Sequence, residues 1–263
     1  MSLEHANFLH IAIVGVISVV ILITILTARG GRELFIRRIP GLSAIDEAVG
    51  RATEMGRPML FSTGLGGVDI ETLQALSIAQ YVARLAARYG NRLIVPVIDP
   101  VVFAIAEQLV RDAYTSEGKP EGFHSEDIRF LSSEQFAYAA GVMGLINRER
   151  VASTFYFGYF FAESLLLAES GHEVGAIQIA GTPATTQIPF FLCSCDYTII
   201  GDEFYAASAY LTREPTLLGS LVGQDLSKSL LMLTIVIGTA TAVPGMPLHW
   251  VFKWLTHWLF GGG

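Results

Sequence analysis

The stretch PMLFSTGLGGVDIETLQALSIAQYVARLAARYGNRLIVPVIDP, residues 58–100, decides the fold. Pro58 to Thr63 is a short apolar run that breaks at Gly64-Leu65-Gly66-Gly67, the pattern of a buried strand closed by a turn. From Asp69 to Tyr89 the apolar residues at 73, 76, 79, 82, 83 and 86 make one face of a helix, which stops at Gly90. Arg92 to Ile98 is a second apolar run. It ends at Asp99-Pro100, and a proline there suits the first turn of another helix. Strand, helix and strand in succession make a βαβ unit, whose strands lie parallel because the helix returns the chain to the end where it began.

The same alternation extends outward in both directions. Upstream, Ser43 to Gly56 opens on a capping serine with Asp46-Glu47 in its first turn and ends on glycine, a helix signature. Downstream, the helix opened by Pro100 runs to about Thr115, and a polar loop follows to Glu126. Strands are predicted at Ile128–Leu131, Val151–Phe157, Gly175–Ala180 and Cys195–Ile200. Helices are predicted from Ser133 to about Asn147, over Phe160–Ser170, from Ala184 towards Leu192 and over Asp202–Thr212. Phe160–Ala168 and Ile188–Cys195 are too short to cross a bilayer, and the first carries Glu163. Six strands with near-continuous apolar runs, alternating with helices, predict a Rossmann-like, doubly wound, mostly parallel six-stranded sheet covered on both faces.

The chain's two ends are of another kind. FLHIAIVGVISVVILITILTA (residues 8–28) has no formal charge, and Arg29, Arg32, Arg37 and Arg38 follow it. About 20 apolar residues span a hydrocarbon core, so this reads as an N-terminal transmembrane helix. The acidic residue before it, its length and the poor cleavage site at Ala28-Arg29 speak against a signal peptide. The arginines predict that the N-terminus is outside and the following domain cytoplasmic. Residues 217–248 turn apolar again. Within them Ser229 to Leu248 has no charge and reads as a second span, with a small-residue patch at Gly238–Ala242 suited to helix contact. In the tail, Trp250, Trp254 and Trp258 recur every four residues beside Lys253, as in a helix lying at a membrane interface. The expected organisation is an anchor (residues 1–38), an α/β domain (39–216), a second span (217–248) and an interfacial tail (249–263).

Charge follows this division. Residues 39–227 hold eleven Lys and Arg against twenty-two Asp and Glu, while the six remaining cations flank the apolar ends. An acidic middle excludes nucleic acid as a partner, because phosphate binding needs clustered cations, whereas basic flanks suit anionic lipid. Cys193 and Cys195 form one C-x-C with no second pair and are expected to be small core residues.

Ligands of an open parallel sheet bind beyond the carboxyl ends of its strands. The candidate positions there are Thr63, Gly64, Gly66 and Gly67 after the first strand, Asp99 after the second, and Gly181, Thr182 and Thr185 after the fifth. The first loop resembles a dinucleotide fingerprint but has Asp69 where the third glycine belongs, and neither glycine loop contains a Lys or Arg. The glycines therefore read first as turn formers, with a small-anion or nucleotide cradle as the alternative. Asp69, Asp99, Asp202 and Glu203 are the candidates for an acid–base cluster at one sheet edge, but Asp69, Asp202 and Glu203 fall in the first turns of helices, so the helix-cap reading comes first. No residue is singled out as catalytic, and no metal or cofactor is implied.

The stretches IPGLSAIDEAVGRATEMGRPMLFSTGLGG (residues 39–67) and CDYTIIGDEFYAASAYL (residues 195–211) resemble a membrane-anchored prokaryotic family described only as a domain of unknown function. The resemblance implies a fold and a membrane location, and supplies no catalytic residues. The combined expectation is a homo-oligomeric scaffold in the cell membrane, with other membrane-complex subunits as further partners and ligand binding at the Gly64 and Gly181 loops as the alternative.

Overall fold

The computed structural model describes residues 8–30, 40–201, 203–212 and 214–242. The chain divides into two compact units. One spans Arg37–Thr212, and the other combines the residues up to Ile36 with those from Arg213 onward.

The larger unit opens with helix α2 (Pro40–Glu54). It continues as β1 (Met59–Gly64), α3 (Ile70–Tyr89), β2 (Leu93–Val97), α4 (Pro100–Ser116), β3 (Ile128–Phe130), α5 (Gln135–Glu149), β4 (Ser153–Tyr159), α6 (Glu163–Glu173), β5 (Ile177–Thr182), α7 (Ile188–Ser194), β6 (Tyr197–Ile200) and α8 (Glu203–Thr212). The six strands form one sheet in the order β3-β2-β1-β4-β5-β6, and every pairing is parallel. From β1 the chain winds outward through α3 and α4 to β3. It then crosses to the other side of β1 and winds outward through α5, α6 and α7. Right-handed crossovers put the helices of the two halves on opposite faces. One core accordingly joins α2, α3, α4 and α8 to Phe61, Val95, Phe155 and Phe157. The other joins α5, α6 and α7 to Leu60, Ile94, Tyr156 and Ala180. Burial on both faces explains why the strands read as apolar runs without alternation. The reversal of winding falls between β1 and β4, the place where open sheets of this kind leave a crevice.

The expected elements are all present, with shifted ends. Strand β4 runs two residues past Phe157, because Gly158 takes φ 134° and keeps the strand beside Gly64. Helix α6 starts at Glu163 rather than Phe160, since the Glu163 carboxylate accepts the Phe161 N–H at 2.8 Å and closes the entry turn. Helix α7 starts only at Ile188, with Pro189 in its first turn. Cys193 is exposed at the end of α7, contrary to the expected core position. Cys195 is half-buried, and burial pushes its thiol up to about 12.

In the smaller unit, α1 (Phe8–Arg29) and α9 (Pro215–Ala242) pack against each other in antiparallel fashion. Ile25 and Thr24 meet Gly219, and Thr24 and Ile21 meet Gly223. At one end the Arg29 guanidinium donates to Thr216 Oγ1 at 3.2 Å. A Cβ at Gly219 would stand 2.6 Å from Ile25 Cα, and one at Gly223 2.4 Å from Thr24 Oγ1. These two glycines, a G-x-x-x-G pair, are what let the helices approach. Within the expected contact patch at Gly238–Ala242, a Cβ on Gly238 would meet nothing within 4 Å.

The second apolar segment also begins earlier than Ser229. Pro215 follows the end of α8 and occupies the first turn of α9, where its missing N–H costs nothing. The helix therefore runs through Asp225 and Lys228. Residues 215–239 are long and apolar enough to cross a membrane, and only 11% of the apolar window is buried, unlike a core helix. The described apolar part of α1, residues 13–29, is shorter than that. Arg32, Arg37, Arg38 and the tail with Trp250, Lys253, Trp254 and Trp258 lie outside the described residues, as does Asp202.

Candidate functional site

The crevice between the carboxyl ends of β1 and β4 is the natural place to look for a ligand, and the chain's own atoms fill it. Gly64 has φ 77°, and a Cβ there would lie 2.2 Å from the Tyr159 carbonyl oxygen. A Cβ on Gly158 would lie 2.1 Å from the Thr63 carbonyl oxygen. Each glycine thus lets its strand end lie against the backbone of the other strand, and the Leu65 N–H donates to the Tyr159 carbonyl at 2.8 Å to close the reversal point. Gly66 is needed for a different contact, because its Cβ would stand 2.2 Å from Thr72 Oγ1 and 2.7 Å from Asp69 Oδ2. Of the three glycines in this loop, Gly67 alone has open space around it.

Asp69 caps α3, its carboxylate accepting the Thr72 N–H at 2.7 Å. That carboxylate is where a phosphate would stand in a nucleotide-binding loop. A bound anion would meet a like charge in place of the free N–H groups a helix start otherwise offers. Thr63 and Thr72 are both fully buried beside this turn, and their hydroxyls have no hydrogen-bond partner.

The other predicted positions are not brought to this point. Asp99 caps α4, accepting the N–H groups of Val101 at 2.7 Å and Val102 at 3.0 Å. Gly181 gives room to the Phe157 ring, which a Cβ would meet at 2.8 Å. Thr182 is buried and its Oγ1 accepts the Ala184 N–H at 3.1 Å, while Thr185 is exposed. The Gly64 loop leads to α3 on one face and the Gly181 loop to α7 on the other, with β4 between them. They do not form a single cradle.

Two polar features escaped the reading of the sequence. On the α5 face, Tyr138 O–H donates to the Pro96 carbonyl at 3.2 Å and lies 2.9 Å from Ser62 Oγ, and burial raises the phenol well above its ordinary value. Close by, the fully buried Glu163 accepts the Gln135 amide at 2.6 Å as well as the Phe161 N–H. Both groups are satisfied by the protein, which identifies them as fasteners of the α5 and α6 starts. The only signal for Glu163 was an acid near a helix start, and nothing in the sequence pairs Ser62 with Tyr138. Among the described residues no cluster of His, Cys, Asp or Glu is arranged to hold a metal ion.

What the carboxyl edge does present is apolar. Val68, Ile70, Val101, Phe130, Phe136, Tyr159, Phe161 and Ile200 are all exposed in or beside the strand ends, Ile70 and Phe136 by 65% and 64%. Glu134 and Glu203 are exposed among them, and the turns that follow the strands contain no Lys or Arg. At the opposite edge a cavity of about 260 Å³ is lined by Glu47, Arg51, Ile177, Asp196 and Tyr197, with charges of both signs. Exposed apolar patches are the kind of surface that proteins bury against other surfaces.

No curated protein and no solved structure matches the chain. A family model described as a domain of unknown function (DUF6754) matches residues 2–250. The match takes in the α/β unit and most of both terminal segments, and the chain belongs to that family.

Proposed function

We propose that the chain is a membrane-anchored scaffold that works through protein contacts, its Rossmann-like α/β unit held at the cytoplasmic face of the cell membrane by α1 and α9. In this reading both helices cross the bilayer, the N-terminus is outside, and Arg29, Arg32, Arg37 and Arg38 stay with the cytoplasmic headgroups. Copies tethered twice cannot tumble freely, so they meet side by side in the membrane plane and assemble as homo-oligomers. The observation that carries the proposal is the carboxyl edge of the sheet. Its crevice is occupied by Asp69, Thr72 and the Gly64–Gly158 approach, while its rim exposes apolar side chains. Cross-linking in intact membranes tests the assembly: a ladder at multiples of 28.5 kDa is expected, and a lone band at that mass would contradict it.

The second reading is a small polar ligand at the start of α3, favoured by the unpartnered hydroxyls of Thr63 and Thr72. It predicts a rise in melting temperature with a nucleotide or anion that Thr63→Val abolishes without unfolding the unit. The scaffold reading predicts no such rise.

A further inference from the structure

Helix α9 has a second stripe, turned away from α1. Leu221, Asp225, Lys228, Met232, Ile235 and Thr239 recur at alternating spacings of four and three residues, the period of a seam between supercoiled helices. At 100° per residue this stripe lies on the far side of α9 from Gly219, Gly223 and Ser227. Met232 and Ile235 are 69% and 67% exposed, and Asp225 and Lys228 are exposed too.

The α1–α9 register places the two charges at depth. Thr216 is level with the end of α1 through its bond to Arg29. Asp225 and Lys228 follow about 14 Å and 18 Å further along the axis at 1.5 Å per residue. They therefore stand beside the run from Phe8 to Ala28 that has no charge. An exposed carboxylate such as that of Asp225 is expensive within hydrocarbon, and ionisable groups inside membranes pair with one another.

We propose that this stripe is the seam against α9 of a second copy of the chain, with Asp225 of each copy facing Lys228 of the other. The inference rests on the reading of α9 as a membrane span. Two copies inserted the same way up present the stripe in parallel and meet through the same surface about a two-fold axis. Asp225 and Lys228 occupy adjacent layers of the seam, about 4.5 Å apart in height, a gap that a lysine's four-carbon stem covers. An ammonium has three donors, so Lys228 can take this contact in addition to others. One stripe supplies both signs, which makes it complementary to itself, and polar residues within an apolar seam fix its register. Lipid headgroups lie too far off at this depth to do the same.

The test uses the full chain in lipid vesicles, with association followed by energy transfer between labelled copies on dilution into excess lipid. Asp225→Lys and Lys228→Asp should each weaken association by about tenfold or more, and the double exchange should restore it to within about threefold. In a C193S/C195A background, Met232→Cys should form a disulfide between copies, and Leu226→Cys, exposed but off the stripe, should not. If alkaline carbonate strips the protein from the vesicles, the membrane-span reading fails and the seam fails with it. If the protein stays embedded but the exchanges leave association unchanged, or residue 226 cross-links as readily as 232, the seam is wrong and the membrane reading stands.

Discussion

Glycine brings backbones together in both units of this protein, but against different surroundings. In the α/β unit, Gly64 and Gly158 let two strand ends touch inside a structure whose apolar residues are buried on both sides of the sheet. In the helix pair, Gly219 and Gly223 let α9 lie on α1 while most of the apolar surface of α9 stays exposed. The same residue type thus closes a possible ligand crevice in one unit and creates a helix contact in the other. The difference teaches that a glycine-rich loop after a strand is not by itself evidence of a phosphate site. What decides is whether the space a Cβ would take belongs to the protein or to solvent.

The largest effect should come from filling the space at the strand ends. Gly64→Ala adds a Cβ at a positive φ against the Tyr159 carbonyl and should cost about 3 kcal/mol or more, seen as a shifted denaturation midpoint. Gly175 has a similar φ of 69° but open space around it, so Gly175→Ala should cost only about 1 kcal/mol. Equal losses would show that dihedral strain, not contact, sets the requirement at Gly64.

Alkaline pH should act on the α/β unit next. Burial raises Cys195 from 9.0 to about 12 and Tyr114 from 10.0 to about 12. The folded unit holds these protons where the unfolded chain would release them, so unfolding releases protons and rising pH favours it. Stability should be level below about pH 9 and fall between pH 9 and 12, by about 1.4 kcal/mol per pH unit for each resisting group at most. Cys195→Ala should delay the onset to about pH 10. An unchanged onset would mean the thiol is freely solvated.

In the helix pair, Gly223→Val should loosen α1 from α9 and cost about 2 kcal/mol, while Gly238→Val should stay within about 0.5 kcal/mol. Unfolding under force in a bilayer would read both. The smallest effect is at the cap of α3. Asp69→Ala should cost about 1 kcal/mol, the ordinary loss for a capping side chain.

Much of the α/β unit was legible in the sequence because each strand and helix declares itself locally. The run PMLFST before a glycine cluster and the period from Leu73 to Ala86 needed no knowledge of the remainder. The strand order was not legible, because nothing in β1 or β4 names the other as neighbour. The meeting of Gly64 with Gly158 and the bond between Ser62 and Tyr138 depend on that order, so they were hidden with it. The start of α9 was hidden for another reason: Asp225 and Lys228 interrupt the apolar run, so only the stretch from Ser229 reads as a span. The span read from the sequence therefore began after Asp225 and Lys228, the two charges on which the proposed seam between copies turns.

The scaffold reading is best tested by the mass of the particle extracted with its surrounding lipid and without detergent exchange, measured over a wide dilution range. It predicts a discrete assembly at a whole-number multiple of 28.5 kDa that survives dilution. A particle carrying one copy of the chain at every concentration would contradict it.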